Sequence, residues 1–193
     1  MRTYIVLILA FLCSLGCKKR AESVDVDIKE IIVTMVDKKS FPLPVPPSIN
    51  DTTAVVSKRA IDSLLQVKLK VAIYPIFSKI SKSQNEKFYL SDDDELFALG
   101  KNDFHLQDLN GVQSKKGHQI ILADTVQLKK SKDYKNFDLL FRFSNFSFSE
   151  DRQKAVFELG ISRSHLAGSS AVYVLKKSEG EWIIEESVDK EIW

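Results

Sequence analysis

The stretch Ser162-Arg163-Ser164-His165-Leu166-Ala167-Gly168-Ser169-Ser170 mixes hydroxyls, one imidazole, one guanidinium and a glycine. A serine beside a histidine base is the raw material of acyl transfer. Such sets are assembled from distant segments, whereas His165 and its serines are neighbours in sequence, and no G-x-S-x-G elbow occurs. The same residues suit recognition better. Arg163, Ser164, His165 and Ser169, with exposed backbone N–H groups, could hold a small anionic ligand. The plain reading, a polar loop that joins two strands, is preferred to either. Binding is therefore favoured over catalysis, with a hydrolase or a small-ligand carrier using residues 162–170 as the alternative.

Other chemistries have less support. His105, His118 and His165 lack metal-binding spacing and read as isolated surface histidines. Asp92-Asp93-Asp94-Glu95 lacks the spaced ligands and glycine of a calcium loop, and reads as the solvated start of a helix before Leu96, Phe97 and Leu99. No metal or cofactor is expected. No glycine-rich phosphate loop is present. The 28 basic and 26 acidic residues leave a formal net charge of +2, which offers no basic face for nucleic acid.

Both cysteines, Cys13 and Cys17, lie near the N-terminus. Met1-Arg2 is a short positive start, and Tyr4 to Leu12 is an apolar run well below the ~20 residues of a spanning helix. Ser14-Leu15-Gly16-Cys17 then resembles a bacterial lipobox, with Ser14 where leucine is usual. The resemblance implies a signal peptide over 1–16, lipidation at Cys17 and a tether over 17–22. Membrane attachment would then be through lipid, in the bacterial cell envelope. The basic Lys18-Lys19-Arg20 favours a periplasmic face. After Cys17 no cysteine follows, so the body over 23–193 can use neither disulfides nor thiolate chemistry.

The elements that must carry the 162–170 loop are strands. Phe137, Leu139, Phe141 and Phe143 alternate with Asp138, Leu140, Arg142 and Ser144. Ala155, Phe157, Leu159 and Ile161 repeat the pattern, with Glu158, Gly160 and Ser162 among their alternates; Ala171 to Leu175 and Trp182 to Val188 follow. A period of two lets each run bury one side. The phase changes between Phe143 and Phe146, which predicts a bulge near Ser144-Asn145 or a strand end there. Ser178 to Glu181 reads as a hairpin loop with Gly180 available for positive φ.

Upstream, Val24, Ile28, Ile31, Ile32 and Met35 form a helical stripe within Ser23 to Lys39. Four prolines fall in 41–50, an extended segment. Asp51 to Gln66 is a weaker helix candidate. Val67 to Tyr74 reads as a half-buried strand, ended or placed at an edge by Pro75. His118 to Ala123 is another strand, and Lys129 to Lys135 is polar and exposed. The expected fold is α+β: a mainly antiparallel sheet, a C-terminal meander, packed by the N-terminal amphipathic helix.

Residues 137–193 also resemble the C-terminal part of uncharacterised lipoproteins of Bacteroidota. The similarity rests on Phe146-Ser147-Phe148-Ser149 before a charged turn, Lys154-Ala155-Val156, the Ser162-Arg163 to Leu166-Ala167-Gly168 loop and Gly180-Glu181-Trp182-Ile183-Ile184. It implies a secreted β-rich domain and supplies no activity. The expected role is a lipid-anchored, non-catalytic binding or scaffolding domain. Its partners would be the membrane through the lipid and an envelope protein or small ligand, with no nucleic acid.

Overall fold

The computed structural model describes residues 24–42, 58–78, 96–98, 104–131, 136–164 and 167–192. Helix α1 covers residues 24–39 and α2 Lys58–Leu65. Strands β1 Lys70–Ile73, β2 Ile76–Phe77, β3 Leu96–Ala98, β4 Phe104–His105 and β5 Gln119–Leu122 follow, then α3 Thr125–Ser131. The C-terminal part is β6 Leu139–Phe143, β7 Ser147–Ser149, β8 Lys154–Ser162, β9 Gly168–Ser178 and β10 Glu181–Ile192. The main sheet runs β10-β9-β8-β6-β1-β5, with β7 beside β8 and β3 beside β7. β2 and β4 pair separately.

The C-terminal meander is antiparallel throughout. The sheet as a whole is mostly antiparallel, as expected, but it is mixed rather than purely so: β1 lies parallel to both β5 and β6. Parallel neighbours need a long crossover, and α3 lies on the one from β5 to β6. Its start is capped by Asp124, whose Oδ1 accepts the N–H groups of Val126 and Gln127 at 2.9 and 3.0 Å. Leu128 of α3 packs on Ala72, Ala123 and Leu140. The stretch expected to be merely exposed therefore begins within a helix that covers one end of the sheet. β1 is in turn central rather than at an edge, and Val71, Ala72 and Ile73 are buried on both faces. Leu96–Ala98 is a strand, not a helix start, and pairs with β7. Residues 92–95 and 43–50 lie outside the described residues.

α1 buries the predicted stripe. Ile28, Ile31, Ile32 and Met35, joined by Val36, are sealed in one cluster with Phe77, Phe141, Phe143, Phe146, Phe157, Tyr173 and Trp182. Each such side chain contributes about 1.5–3 kcal/mol by leaving water. Phe146 sits centrally, with ring centroids 4.7 Å from Phe157 and 5.7 Å from Phe143. The helix is also pinned by charge: buried Asp27 accepts a 2.9 Å bond from Lys177 Nζ, with Arg152 3.6 Å away.

The phase change is a bulge. Phe143 pairs with Leu159 and Ser147 with Val156, so four steps on one strand face three on the other. The spare N–H, on Asn145, donates to Ser78 O at 2.7 Å. Ser144 Oγ accepts Glu158 N–H at 2.8 Å. Both halves of the run thus keep their phenylalanines inward.

The β9–β10 hairpin closes over two residues, Glu179 (φ 52°) and Gly180 (φ 84°). Positive φ at both positions is the turn whose twist suits a hairpin, and glutamate is a poor residue for its first place. Glu179→Asn is expected to stabilise the fold by about 1 kcal/mol. Lys177→Met, which leaves a buried carboxylate short of its main partner, is expected to cost about 2 kcal/mol. Urea unfolding of the two variants checks both signs.

Candidate functional site

The meander buries one face under α1, and its alternates meet on the other. Arg142 of β6 pairs with Gly160 of β8, Gly160 with Ser170 of β9, and Ser170 with Glu191 of β10. Directly paired residues share a face, so these four form a single row across the sheet. The row floors a cleft of about 330 Å³, also lined by Ser78, Ser144, Glu158, Ser162 and Ser164. Gly160 brings no side chain, which leaves the middle of the row open.

A second bulge builds the far wall. The β9–β10 register shifts between Asp189 and Glu191, making Lys190 the extra residue. A bulge re-aims side chains. Lys190 Nζ reaches Glu158 Oε2 at 2.7 Å, with only 15% and 23% of the two side chains exposed. Glu158 is thereby neutralised. Arg142 lies over the Tyr74 ring, 5.4 Å from its centroid, and forms no ion pair among the described residues. Glu191 forms none either. Ser162 and Ser170 are 7% and 6% exposed, yet neither hydroxyl is bonded to another described residue. Ser144 Oγ, by contrast, is engaged by the bulge.

The residues singled out from sequence are split by this arrangement. Ser164 lines the cleft. Arg163 does not; its guanidinium donates to the carbonyl of Phe41, just beyond α1, and its N–H closes the turn onto Ala167 O at 2.9 Å. Burial pulls the Arg163 pKa below the usual guanidinium value, against the opposing pull of Asp138. Ser169 is exposed and, one residue from Ser170, belongs to the other face. His165 and Cys17 lie outside the described residues. Ser170 fell within the 162–170 stretch, whereas Arg142, Glu158, Lys190 and Glu191 were missed. The available signal was the polar alternation of Arg142, Glu158, Gly160 and Ser162 opposite the phenylalanines, which reads equally as a solvated face.

A more apolar hollow of about 470 Å³ lies outside α1, between Val26, Val33, Gly111 and Trp182. Its rim charges are spent on one another: Lys29 on Asp108 at 2.9 Å and Lys115 on Glu181 at 2.6 Å. The polar cleft, where Arg142 and Glu191 form no ion pair among the described residues, has more to offer a ligand.

Among the described residues no group of three or more His, Cys, Asp or Glu is placed to hold a metal. No known protein family, curated protein or solved structure matches the chain. No helix among the described residues is long and apolar enough to cross a membrane.

His118 is not a surface histidine. It is 7% exposed, and its Nδ1 accepts the Leu69 N–H at 3.1 Å. Nε2 therefore carries the proton, and it is buried without a partner among the described residues. The preceding loop is held by Asp37 of α1, whose carboxylate accepts Ser114 Oγ at 2.5 Å and Lys115 N–H at 3.0 Å. Desolvation lowers the His118 pKa, which Asp37 partly opposes. The unfolded chain then takes up a proton near pH 6.5 that the folded one refuses. Stability contributed by neutral His118 is present above about pH 6.5 and is lost as pH falls toward its lower folded pKa. Tm is expected to fall on acidification through that window. His118→Asn, which keeps an acceptor for Leu69, is expected to flatten the slope; an unchanged slope refutes the assignment.

Proposed function

We propose that the chain is a lipid-anchored cell-envelope protein, tethered through Cys17, whose body is a non-catalytic binding domain. The anchor rests on the apolar run before Ser14-Leu15-Gly16-Cys17. Two or more acyl chains, at ~0.8 kcal/mol per buried CH2, suffice to hold such a domain at a bilayer. The basic residues after Cys17 favour a periplasmic face.

The binding role is carried by one observation: the polar cleft opposite α1 is lined by Ser162 and Ser170, whose hydroxyls take no partner among the described residues, and by Arg142 and Glu191, which form no ion pair among them. Hydroxyls that can donate and accept suit a polar ligand. Nucleophilic use would need a base within hydrogen-bond reach of a serine, and the described histidines, His105 and His118, do not line the cleft. The open polar floor beside Gly160, with a cation and an anion at its two ends, favours a small-ligand carrier over the hydrolase reading of the 162–170 loop.

Metabolic labelling with a fatty-acid probe tests the anchor. Labelling of the wild-type chain and its loss in Cys17→Ser is the expected result. Labelling that persists in Cys17→Ser removes this anchor.

A further inference from the structure

Resting on the reading of the cleft as a binding site, we propose that its ligand is a short peptide of two or three residues with both termini free. Arg142 and Glu191 occupy the two ends of one cross-strand row. Their Cα atoms are separated by three strand spacings, about 14 Å on a flat sheet. Both line the same cleft, yet they do not pair with each other. Glu158, the other charged residue among the described lining residues, is already matched by Lys190. A cation and an anion thus stand apart across a polar floor.

A ligand that satisfies both ends carries a carboxylate at one and an ammonium at the other. The planar guanidinium fork of Arg142, held over Tyr74, matches a carboxylate with two parallel bonds. Glu191 accepts from an ammonium. The two side chains span part of the 14 Å, and the remainder suits two or three residues of extended chain at ~3.4 Å each. A free amino acid, with its charges on one carbon, is too short to reach both.

The middle of the cleft agrees. A peptide between its charged ends presents amide N–H and C=O groups. Ser162 and Ser170, which line the cleft with hydroxyls that take no partner among the described residues, can donate to the one and accept from the other. Gly160 between them leaves the peptide backbone room to approach the sheet. A cleft of about 330 Å³ holds the volume of roughly eleven waters at ~30 Å³ each, which fits a peptide of small residues.

Calorimetric titration of the full-length chain in detergent tests this with trialanine, N-acetyl-trialanine, trialanine amide and the doubly blocked peptide. Trialanine is expected to bind, and each block to weaken it about tenfold. Arg142→Gln is expected to abolish discrimination against the amide alone, and Glu191→Gln against the acetyl form alone. Circular dichroism of the two surface variants separates lost binding from lost folding. Equal affinity for free and doubly blocked trialanine overturns the peptide-terminus proposal while leaving the cleft a binding site. The absence of heat from trialanine at millimolar concentration overturns the proposal too. Anchoring is read separately, from labelling at Cys17.

Discussion

Ile28, Ile31, Ile32, Met35 and Val36 of α1 share one dry cluster with Phe141, Phe143, Phe157 and Tyr173. This packing decides which side of the sheet excludes water. In strands, that choice assigns every alternate residue to the opposite side at once. The cleft is therefore a consequence of the core: Arg142, Glu158, Gly160 and Ser162 face away from α1 because Phe141, Phe143, Phe157 and Leu159 face toward it. A register slip of one residue on β8 would bury Glu158 and expose Phe157 together.

Bulges keep this assignment consistent along strands too long to remain in phase unaided. At Ser144–Phe146 the extra residue rotates the chain back, so that Phe146 and Phe148 rejoin the phenylalanines before them. The cost of interrupting the ladder is offset locally: Ser78 O accepts the Asn145 N–H, and Ser144 Oγ accepts that of Glu158. The parallel bridge between Ser78 and Ser144 brings the end of β2 to the same point, and both serines line the cleft. The irregularity that completes the core also shapes one wall of the site.

Period-two patterning was enough to place β6, β8, β9 and β10, and 3.6 periodicity enough to place α1, because each carries an apolar stripe long enough to set its period, even where β9 also buries Val172 and Val174 on its other face. The same reasoning fails at the short β1, where both faces are dry. Val71, Ala72 and Ile73 are buried on both sides, so the alternation of lysines beside them at Lys68 and Lys70 suggested a half-exposed strand. The parallel pairing of β1 then had no local signal; it depends on a crossover whose helix, TVQLKKS, is short and largely polar. At the site, the 162–170 loop drew attention through composition. Its most distinctive side chain, Arg163, is used on the Phe41 carbonyl, whereas Arg142 and Glu191 are nearly fifty residues apart in sequence and are related only by pairing across four strands.

β10 shows why the cleft wall stands where it does. It is the outer strand of the sheet on this side, twelve residues long, with exposed apolar side chains at Ile183, Val188 and Ile192. An edge of that length invites pairing with another chain. Its two register shifts, between Ile184 and Glu186 and between Asp189 and Glu191, break the flat ladder that such pairing requires. Glu185, Glu186, Asp189 and Glu191 add like charge along it. The second shift does more: by inserting Lys190 it directs an ammonium inward onto Glu158 and sets Glu191 across from Ser170. A single extra residue thus blunts the edge, cancels one buried charge and leaves another available at the cleft. Without it, the partly buried Glu158 would lose the ammonium that meets it at 2.7 Å.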